Sequence, residues 1–314
     1  MVASALITGI TGQDGCYLAA ALLARGVEVH GLVRPGDVEA LDPRIQVHAG
    51  DLADGDGLAR LVGEVVPDAI YNLGGLTSVA ESWRQPVLTA RITGLVVVHL
   101  LSAAQRLVDD GHPVRFLQAS SSEIFGDSAD HPQREETQLR PVSPYGAAKA
   151  FAHTSTAVQR SRGLFASTVI LYGHESPRRP IRFAARRITA GVAAIARGES
   201  AQLTLGNLDA RRDWGWAPDF VDAMVRVLEH DQAGDFIVST GRTHTVREFV
   251  AAAFAVAGID DWEPRVRIDP ALLRPHDTGV QIGDATRLRS LGWRPTRDFD
   301  DVVAAMVEAD LVRH

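Results

Sequence analysis

A chain of 314 residues holds one large domain or two unequal ones that share a core. With 46% hydrophobic and 23% charged residues and a net charge of −7 spread along the chain, its composition is that of an ordinary globular protein and argues against nucleic acid as a partner. The single cysteine, Cys16, excludes an intrachain disulfide and suits a reducing cytoplasm.

The first apolar run, Ala5 to Thr8, has no basic region or small-residue cleavage site before it. No signal peptide is expected, and the expected location is cytoplasmic. Apolar runs at 27–33, 45–48, 69–73 and 114–119 read as buried parallel strands. The segments 12–25, 55–65 and 87–107 between them have helical spacing. That alternation predicts βαβ units and an α/β fold with a Rossmann-type doubly wound parallel sheet. The longest apolar stretch, 94–104, is too short to span a bilayer and reads as a buried helix, so no membrane partner is expected. Pro144 and the alanines after it predict a long helix over 143–162, followed by a sixth strand at 166–171.

Beyond Tyr172 prolines break the rhythm and arginines cluster at 178, 179, 182, 186, 187, 211 and 212. A smaller lobe is expected there, with a helix near 181–197, while 236–239 returns to the main sheet as a strand. The domain reading is therefore 1–172 plus a return segment near 215–242 for a dinucleotide, and 173–214 plus 243–314 for a substrate.

Gly9-Ile10-Thr11-Gly12-Gln13-Asp14-Gly15 joins the first strand to the first helix. Glycines in that turn let backbone approach a pyrophosphate, and the helix start offers free N–H groups and a positive dipole end. The spacing is GxxGxxG, which also occurs for packing reasons alone. After the second strand, Arg34 stands where an NAD site carries an acid, and a cation there suits the 2′-phosphate of NADP. Asp51, followed by Leu52, ends the third strand, where Asp51 reads either as an acceptor for the adenine amino group or as a turn residue.

Tyr145 and Lys149 lie one helical turn apart on one face. A lysine cation and an oxidised nicotinamide nearby both favour phenolate, so the tyrosine can take a hydroxyl proton as hydride leaves the same carbon. Ser120-Ser121-Ser122-Glu123 closes a strand two dozen residues earlier, where a serine hydroxyl can hold the reacting oxygen. Glu123 is the discriminating residue, because removal of water needs an acid and a base that simple oxidation does not. The bland alternative is a glutamate that caps a helix.

With these residues in place, the sequence resembles the GDP-mannose 4,6-dehydratase family over nearly its whole length. The matching segments include residues 5–15, 118–123 and 143–145, His174-Glu175-Ser176-Pro177-Arg178-Arg179, Arg212-Asp213-Trp214-Gly215 and Arg274-Pro275. The resemblance implies an intramolecular redox reaction. Hydride moves from C4 of the sugar to NADP, water leaves across C5 and C6, and hydride returns to C6. It implies Ser121, Glu123, Tyr145 and Lys149 as catalytic residues. The implied cofactor contacts are Gly9 to Asp14, Arg34, Asp51, Leu52, Leu73, Gly74, Gly75, Thr77, Tyr145, Lys149, His174 and Arg179. Substrate contacts fall on Ser122, Glu175, Arg187, Arg212, Arg274 and Asp277, and no metal is expected. Gly173, Pro180, Ile181 and the segment 74–78 depart from the family pattern, which leaves the hexose open. A short loop after Arg34 suggests a homodimer built on the helices near 87–107 and 143–162, with a tetramer as the alternative. An epimerase or reductase of the same fold, or a dehydratase for another GDP-sugar, also remains open, as does a non-catalytic NADP-binding protein.

Overall fold

The computed structural model describes residues 2–34, 36, 41–272 and 279–312. Arg274 and Asp277 lie outside them. Seven parallel strands form the main sheet in the order β11-β6-β5-β4-β1-β2-β3. They are β1 (Ser4–Thr8), β2 (Glu28–Val33), β3 (Gln46–Ala49), β4 (Ala69–Asn72), β5 (Arg115–Ser121), β6 (Phe165–Leu171) and β11 (Asp235–Val238). Every central strand is buried on both sides, which is why each reads as a continuous apolar run rather than an alternating one.

One face is covered by α1 (Gln13–Ala24) and α8 (Ala217–Glu229), which pack on the odd-numbered side chains Ala5, Ile7, Leu117 and Ala119. The other carries α2 (Gly55–Val65), α5 (Val96–Asp109) and α6 (Pro144–Ser161), over Leu6, Ile70 and Phe116. Between β4 and α2's partner layer run α3 (Val79–Arg84), α4 (Pro86–Thr89) and a wide turn at Ala90–Leu95 that leads straight into α5.

Here the structure corrects the reading of 94–104 as too short for a membrane span. Pro86–Asp109 is one helical run of 24 residues, long and apolar enough by composition to cross a bilayer. Arg91 and Thr93 interrupt the apolar pattern but not the helix. Its inward side packs on α2 and α6, so it serves as a core helix of the sheet layer.

The smaller cluster is built on Ile188 and Val192 of α7 (Ala184–Ala196), Leu203 and Leu205 of β8 (Leu203–Leu205), Phe249 and Phe254 of α9 (Val246–Val256), and Met306 of α11 (Phe299–Leu311). Short ladders link it to the sheet edge. β7 (Gly173–Glu175) pairs with β10 (Trp214–Trp216), β9 (Arg211–Arg212) with β12 (His244–Thr245), and β13 (Val266–Ile268) with β8. The α10 helix (Thr286–Ser290) then precedes α11. These short ladders carry no periodic signal of their own, and sequence reading missed β7 and β10 although both lie in the quoted motifs.

Candidate active site

The site collects at the carboxyl ends of the strands, where an open parallel sheet leaves a crevice. Gly9 has φ +73, and a Cβ on it would lie 2.8 Å from the Gly74 nitrogen. The first turn and the end of β4 thus touch backbone to backbone, glycine against glycine. A Cβ on Gly15 would fall 2.3 Å from the Gly9 carbonyl oxygen, so the helix start can close on the turn only without one. Gly12 caps α1 without a side-chain hydrogen bond, and the first-turn N–H groups face a cleft of about 370 Å³. Thr11, Gly12, Gln13, Cys16, Arg178, Arg179 and Arg186 are among its lining residues. This cradle fits the pyrophosphate of a dinucleotide.

The opposite wall is the 174–179 segment, bolted to α1. The Ser176 hydroxyl donates to Gln13 Oε1 at 2.9 Å, and Gln13 Nε2 donates to the His174 carbonyl at 3.2 Å. His174 Nδ1 faces the Tyr172 carbonyl at 2.7 Å, and its Nε2 faces Asp14 Oδ2 at 3.0 Å. The ring stacks on Phe220, centroids 4.5 Å apart. Burial works against the imidazolium, but the Asp14 carboxylate outweighs it and holds the His174 pKa above its ordinary value. Burial likewise opposes the Asp14 carboxylate, and His174 with Arg179 still holds its pKa low. The sequence places His174 and Asp14 separately against the cofactor; the structure pairs them with each other.

Tyr145 sits in the first turn of α6, where Ser143 caps the helix by accepting from Gly146 N at 3.0 Å. Gly146 lets α6 approach the turn at Ser122–Ile124 closely, since a Cβ there would lie 2.6 Å from the Glu123 carbonyl oxygen. On that turn Ser121 Oγ accepts from Glu123 N at 3.3 Å, and Ser121 lies close enough to the Tyr145 phenol to hold its pKa down in part. Glu123 and Ser122 are buried. One short turn therefore holds Ser121 and Glu123 against Tyr145.

Lys149 Nζ donates to the Ala119 carbonyl at 2.7 Å and lies 5.8 Å from the centre of the Tyr145 ring. Burial lowers its pKa to about 8. The tyrosine pKa is pushed up to about 12, first by burial and then by Glu123, with Ser121 acting against them. The expected phenolate rests on the lysine and the oxidised nicotinamide together, and the protein groups around Tyr145 on balance favour the neutral phenol. The ammonium is turned toward a β5 carbonyl.

Glu175 is almost fully buried, with Oε2 3.2 Å from Arg179 Nε but out of hydrogen-bond alignment, and burial raises its pKa. Arg34 is exposed at the end of β2. Asp51 Oδ1 accepts from Ala53 N at 2.8 Å, as a turn residue does, and also lines a hollow of about 430 Å³ beside β3 and α2. Leu52 packs against Gly74, while Leu73, Gly75 and Thr77 follow β4 half-buried. The Arg187 guanidinium donates to the Arg182 carbonyl at 3.3 Å, and its neighbour Arg186 is among the residues lining the phosphate cleft. Arg212 is half-buried on β9.

Sequence reading missed a buried polar row under the site. The Thr8 hydroxyl donates to Asn72 Oδ1 at 2.6 Å, Asn72 Nδ2 donates to Gln118 Oε1 at 2.8 Å, and Gly74 N donates to Thr8 Oγ1 at 3.0 Å. The signal was there: each of three apolar runs carries a polar residue near its carboxyl end, and the register sets Thr8, Asn72 and Gln118 side by side.

A crevice with a glycine-walled phosphate cradle at one end and a serine–tyrosine pair beside a buried lysine at the other is the working arrangement of short-chain dehydrogenases, which pass hydride through a nicotinamide cofactor. The protein is of that class. Residues 6–306 match the family model described as GDP-mannose 4,6 dehydratase. The chain is 40% identical over 324 residues to GDP-mannose 4,6 dehydratase 1 of Arabidopsis thaliana, covering 98% of this chain and 89% of that one. Its fold is similar to UDP-glucose 4-epimerase of Thermus thermophilus in complex with NAD, at a TM-score of 0.85 and 27% identity over 98% of each chain. It is also similar to RMD of Pseudomonas aeruginosa in complex with NADPH, at 0.80 and 26% identity over 99% of each. The chain belongs to the GDP-mannose 4,6-dehydratase family.

Proposed function

We propose that this chain converts GDP-mannose, or a closely related GDP-hexose, to the GDP-4-keto-6-deoxy sugar, with NADP held in the glycine-walled cleft. The observation that carries the reading is the turn at 121–124, which sets a buried carboxyl, Glu123, beside the Ser121–Tyr145 pair. Bound NADP would accept hydride from sugar C4 and return it to C6, and its positive ring would favour the Tyr145 phenolate. Tyr145 takes the C4 hydroxyl proton while Ser121 holds the same oxygen. Glu123 removes the C5 proton and delivers a proton to the departing C6 hydroxyl. Lys149 and the His174–Asp14 pair keep charge on the cofactor side of the crevice.

Arg34, exposed at the end of β2, supports NADP over NAD through its charge toward a 2′-phosphate. Arg34→Ser is expected to weaken NADP binding while sparing NAD, and equal weakening of both refutes that role. Residues 1–172 with 215–242 form the cofactor unit in this reading, and 173–214 with 243–314 the substrate lobe.

We also propose a cytoplasmic homodimer. Val87, Leu95, Phe151 and Val158 are 47% to 76% exposed on two adjacent helical runs, which a second copy would cover. Light scattering on a sizing column tests it, and a tetramer or a monomer overturns it. The deciding experiment for the activity is incubation with GDP-mannose and mass spectrometry of the product. Loss of one water supports the proposal. An isomer of unchanged mass points to an epimerase.

A further inference from the structure

The buried polar row beneath the site does not stop at Gln118. The Gln118 side-chain nitrogen donates to the Ala119 carbonyl at 2.7 Å, and the Lys149 ammonium donates to the same oxygen at 2.7 Å. One line of hydrogen bonds therefore runs from Gly74 N through Thr8, Asn72 and Gln118 to the carbonyl that holds the lysine.

Its two ends fix its direction. Gly74 N can only donate, so Thr8 Oγ1 accepts there and turns its own proton to Asn72 Oδ1. The Ala119 carbonyl can only accept, so Gln118 turns its nitrogen toward it and its oxygen toward Asn72 Nδ2. Neither amide can flip without setting donor against donor or acceptor against acceptor. The register seats Thr8, Asn72 and Gln118 side by side on three strands, and none is more than 1% exposed. A buried line with every partner satisfied is rigid, and each of its bonds polarises the next.

A carbonyl oxygen has two lone pairs. With Gln118 on one, Lys149 is left the other, and no other acceptor among the described residues takes a hydrogen bond from it. Asp14 of α1 is the charged group that acts on the ammonium, and Tyr145 is the titrating side chain beside it, with its ring centre 5.8 Å away.

We propose that Gln118 is a positioning residue for Lys149: it occupies one side of the Ala119 carbonyl and so keeps the ammonium on the other, beside Tyr145. Gln118 acts only through the lysine, and the proposal rests on the reading of Tyr145 and Lys149 as the redox pair. The test is the rate at which GDP-mannose reduces bound NADP, followed by absorbance after rapid mixing. Gln118→Met is unbranched and cannot donate. Gln118→Glu keeps an acceptor for Asn72, which guards against a folding defect, and its carboxylate accepts from Lys149 instead of sharing the carbonyl with it. Each variant should reduce NADP about tenfold more slowly, with GDP affinity by calorimetry unchanged. In a Lys149→Met background the same substitutions should change the rate by less than about twofold, because the group they act through is gone. A wild-type rate in both variants, or equal losses with and without Lys149, overturns the proposal and makes the row a packing feature. If Lys149→Met alone reduces NADP as fast as the wild type, the redox-pair reading fails instead.

Discussion

Gly146→Ala isolates how closely the catalytic turn must approach helix α6. The substitution adds one methyl group, and an alanine inside a helix gains up to about 1 kcal/mol over glycine. The new Cβ, however, would lie 2.6 Å from the Glu123 carbonyl oxygen, where ordinary contact begins at 3.4 Å. The turn and the helix must therefore part by roughly 0.8 Å, which costs about 1–3 kcal/mol as overpacking. The net loss is about 0–2 kcal/mol, so the melting temperature should fall by a few degrees at most. Turnover is different, because the gap opens between Glu123 and its neighbour Tyr145. A displacement near 1 Å at reacting groups lowers rate by about a hundredfold. The assay is formation of the 4-keto-6-deoxy product at saturating GDP-mannose, beside thermal melts with and without NADP. A variant that melts like the wild type and turns over within a factor of about three of it would show that the close approach has no catalytic purpose and would refute the reasoning.

Glu123→Gln should lower turnover by about 10² to 10⁴-fold, while mixing with GDP-mannose still reduces the bound cofactor, seen by its absorbance; unreduced cofactor would place Glu123 in the oxidation step instead. The His174 pKa lies above 6.5 in the folded protein, so the stability it contributes is complete below that pH and is lost as pH rises through the folded value. Asp14, with its pKa held below 3.8, loses its share only as pH falls through its own folded value. The gap in melting temperature between wild type and His174→Gln should thus be wide near pH 6.5 and narrower in alkali; a gap that is constant with pH counts against the charged pair. Lys149, lowered to about 8, should lose its charge in mild alkali, so NADP affinity should weaken above about pH 8 in the wild type and hold in Lys149→Arg. Parallel pH profiles would remove Lys149 from cofactor binding.

The seven-stranded sheet was legible because parallel strands buried on both faces are unbroken apolar runs, and all seven expected spans match the observed strands within two residues at either end. The placement of Tyr145 and Lys149 on one helix and of Ser121 at a strand end was legible because spacing along a helix and position in a strand are local properties. The short ladders of β7, β9, β10 and β12 were not, since strands of two or three residues have too few side chains to show a period. The sequence also names residues without their partners. It offers His174 and Asp14 as two separate cofactor contacts, says nothing of Arg186 in the cleft wall, and sets Lys149 beside Tyr145 without its carbonyl partner. Only the folded chain brings residues 160 positions apart to 3.0 Å, turns one arginine of a pair inward, and aims an ammonium at a carbonyl. Local pattern fixes which elements form and which chemistry the chain carries, because propensity and periodicity act over a few residues. Partner choice, burial and the pKa shifts that follow depend on contacts between distant segments, and those exist only once the sheet has closed its crevice.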